Sequence, residues 1–145
     1  MAVVRKSALV PHSAGQMYAL VNDVDSYAQF LPWCRSSRIV RPTDDGYIGE
    51  IEVAKAGIVQ SFQTRNVPTP EEQVRISLEE GPFRHLHGDW NFIALRTDAS
   101  KVELTLEFEF SGKLMNAAFG AVFSQIANSM VDAFCKRAHE LLSGR

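Results

Sequence analysis

The chain predicts an α+β domain in which a curved antiparallel sheet wraps one long C-terminal helix. Two periodicities predict it. In Lys113–Leu142, the residues Met115, Phe119, Val122, Phe123, Ile126, Met130, Phe134 and Leu141 recur at three- and four-residue steps, which sets them on one helical face. Gln125, Asn128, Asp132, Lys136 and His139 fall on the opposite face. From Arg35 onward the period becomes two. In Lys101–Phe110, Val102, Leu104, Leu106, Phe108 and Phe110 point one way, and Lys101, Glu103, Thr105, Glu107 and Glu109 the other, as in a strand with one face in water. A sheet with one apolar face and a helix with one apolar face bury each other.

The elements follow in order. Val3–Val10 reads as a first strand, ended by Pro11. Ser13-Ala14-Gly15-Gln16 is a capping box, so a short helix runs from Ala14 to about Asn22, with Met17, Leu20 and Val21 on its apolar side. Asn22-Asp23-Val24-Asp25 breaks it, with Asp23 and Asp25 shaping the turn and capping a second short helix, Ser26–Phe30. That helix must stop before Pro32. Strands follow at Ser36–Arg41, Tyr47–Ala54, Val59–Val67, Gln73–Glu79, Leu86–Arg96 and Lys101–Phe110. Short connectors with turn chemistry separate them, among them Asp44-Asp45-Gly46, Ala56-Gly57 and Glu80-Gly81-Pro82. Ser111 can cap the long helix. Gly120 inside that helix costs about 0.5–1 kcal/mol against alanine, so another group should come close there.

The totals bound the function classes. At 145 residues a single domain, 1–145, is the natural count, and its core needs no metal or disulfide. A formal net charge of -2 carries no basic excess for non-specific phosphate contact, and no DNA partner is expected. Cys34 and Cys135 fit no zinc or redox spacing and read as free thiols of a reducing compartment. The N-terminus lacks the apolar run of a signal peptide, and no apolar stretch is long enough to span a bilayer. The expected location is cytoplasmic.

Three blocks resemble one family. Val24-Asp25-Ser26-Tyr27-Ala28-Gln29-Phe30-Leu31-Pro32-Trp33-Cys34 is similar to the D-V-x-x-Y-x-x-F-L-P-W-C signature of the coenzyme Q-binding, START-like proteins, which include the ribosome-association toxin (RatA) family and the polyketide cyclase/dehydrase-like group. The sequence departs from the signature at Ala28, where proline often follows the tyrosine. Glu80–Phe92 resembles the second block, G-P-F-x-x-L-x-G-x-W-x-F, and Ser129–Ala138 the M-V-x-A-F-x-x-R-A ending. The resemblance implies the helix-grip fold with an apolar cavity between sheet and helix. It also implies three functional expectations. The first is a carrier for a hydrophobic ligand, ubiquinone or another polyprenyl lipid, that supports respiration and touches the inner membrane surface transiently. The second is a toxin that binds the large ribosomal subunit and blocks subunit association. The third is a polyketide cyclase-like enzyme. Beyond that bound quinone no cofactor is expected.

The candidate ligand-binding residues are Phe30, Leu31, Trp33, Phe83, Trp90, Phe92, Phe119, Phe123, Met130 and Arg137. An aromatic and methionine stripe at helical spacing either lines a cavity or simply packs. Phe30-Leu31-Pro32-Trp33 is either a plug at one end of the core or a gate for an apolar guest. Arg137 either lays its stem over the core or hydrogen-bonds a polar head group. Cys34 lacks the neighbouring histidine and positive setting that a nucleophile needs, so no catalytic residue is expected. His85, His87 and Asp89 alternate on one face, yet Leu86, Trp90 and Phe92 occupy the other, so the histidine face reads as solvent rather than as a metal site. Gly88 is a candidate bulge. Arg35, Arg38 and Arg41 form the only local basic cluster, which could meet anionic lipid or ribosomal RNA.

Overall fold

In the computed structural model, which describes residues 2–142, strand β1 (Ala2–Val10) leads into helix α1 (Ala14–Asn22) and a 3-10 helix (Val24–Gln29). Strands β2 (Cys34–Pro42), β3 (Tyr47–Lys55), β4 (Ile58–Thr69), β5 (Gln73–Glu80), β6 (Phe83–Arg96) and β7 (Ala99–Phe110) then precede helix α2 (Lys113–Leu142). The strands form one antiparallel sheet in the order β1-β7-β6-β5-β4-β3-β2. The first two strands in sequence are therefore its two edges, and α1 with the 3-10 helix crosses from one edge to the other. This is the helix-grip arrangement. The 30 residues of α2 extend about 45 Å, enough to run the length of the wrap.

Local chemistry sets each boundary. The capping box is formed: Ser13 Oγ accepts from Gln16 N at 3.1 Å, and Ser13 N donates to Gln16 Oε1 at 2.9 Å. The β3–β4 hairpin turns on Ala56 and Gly57, at φ 53° and 78°, the paired left-handed conformation that matches strand twist. Along β7 the residues Val102, Leu104, Leu106, Phe108 and Phe110 are buried, and those between them are half-exposed. Register shifts in the β2–β3, β4–β5 and β6–β7 pairs add the bends that curve the sheet.

Four expectations need correction. The second short helix is a 3-10 helix that begins at Val24, so the break is confined to Asp23. Asp23 makes no side-chain capping bond, and the Asp25 carboxylate instead accepts from the β2 amide of Ile39 at 3.0 Å. Gly88 is no bulge: it pairs in register with Leu106, and a Cβ there would lie 2.1 Å from the Thr105 carbonyl oxygen. Its glycine lets two strands approach. Gly120 is the reverse case, since a Cβ there would meet nothing within 4 Å.

Candidate ligand cavity

Helix α2 packs closest to β1 and β7. Beside it, over β3 to β5, the core retains a cavity of about 70 Å³, by volume room for about two waters. Strand alternation builds its walls. Tyr47, Gly49, Ile51 and Val53 come from β3, Phe62, Thr64 and Asn66 from β4, and Val74 and Ile76 from β5. Leu86 and Trp90 of β6 and Leu104 and Leu106 of β7 continue the surface. Phe123, Ile126, Ala127 and Met130 of α2 form the roof, and Val21, Val24, Tyr27 and Trp33 close the end.

Most polar hydrogens on this lining are committed within the protein. Tyr47 Oη donates to Asn22 Oδ1 at 2.7 Å, and Tyr27 Oη donates to the Val21 carbonyl. Asn66 Nδ2 donates to both the carbonyl and the hydroxyl oxygen of Thr64 at 3.0 Å. Burial pushes the Tyr27 phenol well up and the Tyr47 phenol up as well, so both stay neutral. Trp33 is the exception: its Nε1 is buried without a partner, an arrangement that costs about 1–3 kcal/mol. Cys34 Sγ lies 3.4 Å from the Ser36 carbonyl, and burial pushes its thiol up, away from the thiolate that a nucleophile requires.

Of the ten candidate residues, Trp33, Trp90, Phe123 and Met130 stand on the cavity wall. Phe83 and Phe119 belong to a solid aromatic cluster at the other end of α2, where Phe83 stacks on Phe110 at 4.4 Å and Phe119 lies 5.2 Å from Phe110. Phe92 stands next to Trp90 on the same face of β6, parallel to it at 6.3 Å and off the cavity wall. In the loop before β2, Leu31 is 1% exposed and Trp33 5%, so this loop closes the core. Phe30 is half-buried, edge-on to Phe134 at 5.2 Å. Arg137 clasps it: the guanidinium sits 5.2 Å over the Phe30 ring, and Nη2 donates to Gln29 Oε1 at 3.0 Å. Sequence reasoning missed the β3 and β4 contribution. Phe62, Thr64 and Asn66 alternate in the sequence, and so do Tyr47, Gly49, Ile51 and Val53. That pattern marked an inward face, and only the position of α2 marks where the face is left uncovered.

The surface features resolve locally. Each arginine of the basic cluster meets a carboxylate: Arg35 with Glu52 at 3.4 Å, Arg38 with Glu50 at 2.9 Å and Arg41 with Glu79 at 3.1 Å. His85 and His87 are exposed, and His87 Nε2 lies 2.6 Å from Glu107 Oε2. Among the described residues no group of three His, Cys, Asp or Glu is placed to hold a metal, and no helix is long and apolar enough to cross a membrane.

Comparison with known proteins places the chain. The family model for polyketide cyclase / dehydrase and lipid transport matches residues 10–135. The ribosome association toxin RatA of Escherichia coli K12 is 47% identical over 145 residues, 100% of this chain and 92% of that protein. The mitochondrial coenzyme Q-binding protein COQ10 homolog B of Xenopus laevis is 30% identical over 137 residues, covering 92% of this chain and 56% of its own length. Among solved structures, the Zhui aromatase/cyclase of Streptomyces sp. R1128 superposes with a TM-score of 0.85 at 18% identity, covering 99% of this chain and 97% of that one, a likeness of fold. The chain belongs to the polyketide cyclase / dehydrase and lipid transport family, with RatA and a coenzyme Q-binding protein among its relatives.

Proposed function

We propose that this protein is a binding protein of the RatA kind, which associates with the large ribosomal subunit and opposes its pairing with the small one. The carrying observation is the 47% identity to RatA across the whole chain. The chemistry of the interior agrees with binding rather than reaction. The phenols of Tyr27 and Tyr47 and the thiol of Cys34 are all pushed toward their neutral forms. The arginines of β2 also bear on the mechanism. Their ion pairs are exposed, and such pairs hold by only about 0–1 kcal/mol, so a phosphate backbone can compete for them. Overexpression followed by sucrose-gradient profiles tests the reading. Growth arrest with loss of intact ribosomes and protein in the large-subunit fraction supports it; an unchanged profile overturns it.

A second reading rests on the cavity itself: an apolar guest, a polyprenyl quinone among the candidates, sits between α2 and β3 to β5. Each buried methylene contributes about 0.8 kcal/mol, so a short tail suffices for affinity. At about 70 Å³ the space is well under the roughly 300–1,000 Å³ of drug-sized sites. A guest of that size enters only as α2 or the 30–33 loop moves outward, which strains the Arg137 clasp on Phe30 and Gln29. Organic extraction of purified protein followed by mass spectrometry tests this. A stoichiometric prenyl lipid supports it; an empty extract, with no uptake of added quinone, removes it.

A further inference from the structure

Both tryptophans of the chain line the cavity, and they differ in setting. The Trp33 carbonyl accepts from Ala54 N at 2.8 Å, which seats the residue beside β3, where the inward side chains Ile51 and Val53 are hydrocarbon. Its Nε1 is buried and bonds to nothing. An indole N–H only donates, so an acceptor alone satisfies it. A water would need two to four polar partners, and the side chains of Ile51 and Val53 offer none. Met130, half-buried on the roof, is the adaptable side chain that can yield to a guest.

We propose that Trp33 is the specificity-determining residue of this cavity: its N–H selects apolar guests that carry a carbonyl or ether oxygen over bare hydrocarbons. The inference rests on the second reading above, that the cavity takes an apolar guest. It adds the polar feature which that guest must carry. Trp33→Phe keeps an aromatic ring in place and removes the donor.

The test compares a decyl-substituted benzoquinone with decylbenzene, each displacing an apolar fluorescent dye from the full-length protein. Wild type should prefer the quinone by about tenfold, the size of one buried hydrogen bond. In W33F the ratio of the two affinities should fall to about one, whatever the change in overall affinity. Equal affinities in wild type, or a preference that survives in W33F, overturn the role of Trp33 and leave the guest reading standing. Failure of both compounds to displace the dye overturns the two together. Should W33F not fold, the indole N–H resonances of ¹⁵N-labelled wild type decide. One of the two should move downfield with the quinone and not with decylbenzene, and no differential shift counts against the proposal.

Discussion

The two ends of α2 solve the same packing problem in opposite ways. Toward its N-terminus, Phe119 meets Phe110 at 5.2 Å, Phe110 stacks on Phe83 at 4.4 Å and lies 6.0 Å from Phe108, and none of these four rings borders the cavity; Phe123 stands between them and the cavity. Toward its C-terminus, Tyr27, Trp33 and Trp90 border the hollow that Met130 overhangs, and Phe134 packs against Tyr27 and Trp90. The first cluster is all hydrocarbon, so its members close on each other without restriction. The second mixes in tyrosine and tryptophan: the Tyr47 and Tyr27 hydroxyls turn to Asn22 and the Val21 carbonyl, the Trp33 N–H reaches no partner, and the hollow lies beside rings that meet Phe134 at 5.2 Å.

The comparison breaks most sharply on large-to-small changes. Phe119→Ala should lose about 3–5 kcal/mol in denaturant unfolding, because it is buried in the aromatic cluster and does not border the cavity. Met130→Ala borders space that already exists and should lose under about 2 kcal/mol. Equal losses would mean that the two halves are packed alike.

Next in size is the seam between the halves. Gly88 stands on β6 between Leu86 and Trp90, which belong to the two different core clusters and both border the cavity. Gly88→Ala would push a methyl into the β7 backbone at Thr105, so a loss of about 1–3 kcal/mol is expected by thermal unfolding. On α2, Gly120→Ala should go the other way. Open space around its Cβ and the better helix propensity of alanine predict a gain of about 0.5–1 kcal/mol. A destabilised G120A protein would show that a neighbour does approach there.

The smallest effect concerns the outer surface of β3. Glu50 is held below the usual carboxylate range by the Gln63 amide, at 2.9 Å, and then by Arg38. A depressed carboxyl stabilises the fold above its unfolded pKa of about 4.3, and that contribution fades as pH falls through the folded value. Glu50→Gln should therefore cost up to about 0.5 kcal/mol at pH 7 and nothing once wild-type Glu50 is protonated. Urea midpoints of the two proteins that converge as pH falls below 4 would bear this out; parallel curves would not.

Much of the architecture was legible from periodicity. The α2 boundaries, the capping box at Ser13 and the alternation of β7 rest on local rules that act within a few residues. The 3-10 geometry of Val24–Gln29 was not legible, because it depends on Asp25 reaching across to β2, a contact 14 residues away in sequence. The roles of glycines 88 and 120 were not legible for the same reason: each owes its meaning to what stands opposite, the Thr105 carbonyl in one case and open space in the other.

The candidate site divides along that line. The sequence by itself determined which side chains face inward, since alternation on strands and the helical stripe are fixed by backbone geometry. It could not separate Phe119, locked in the solid cluster, from Met130 over the hollow, because both lie on the same stripe of the same helix. Only the tertiary structure decided that, by setting α2 closest to β1 and β7 and so leaving β3 to β5 incompletely covered. A cavity is the difference between the volume two surfaces enclose and the volume their side chains fill, and no local pattern encodes a difference between segments that meet only in the folded chain.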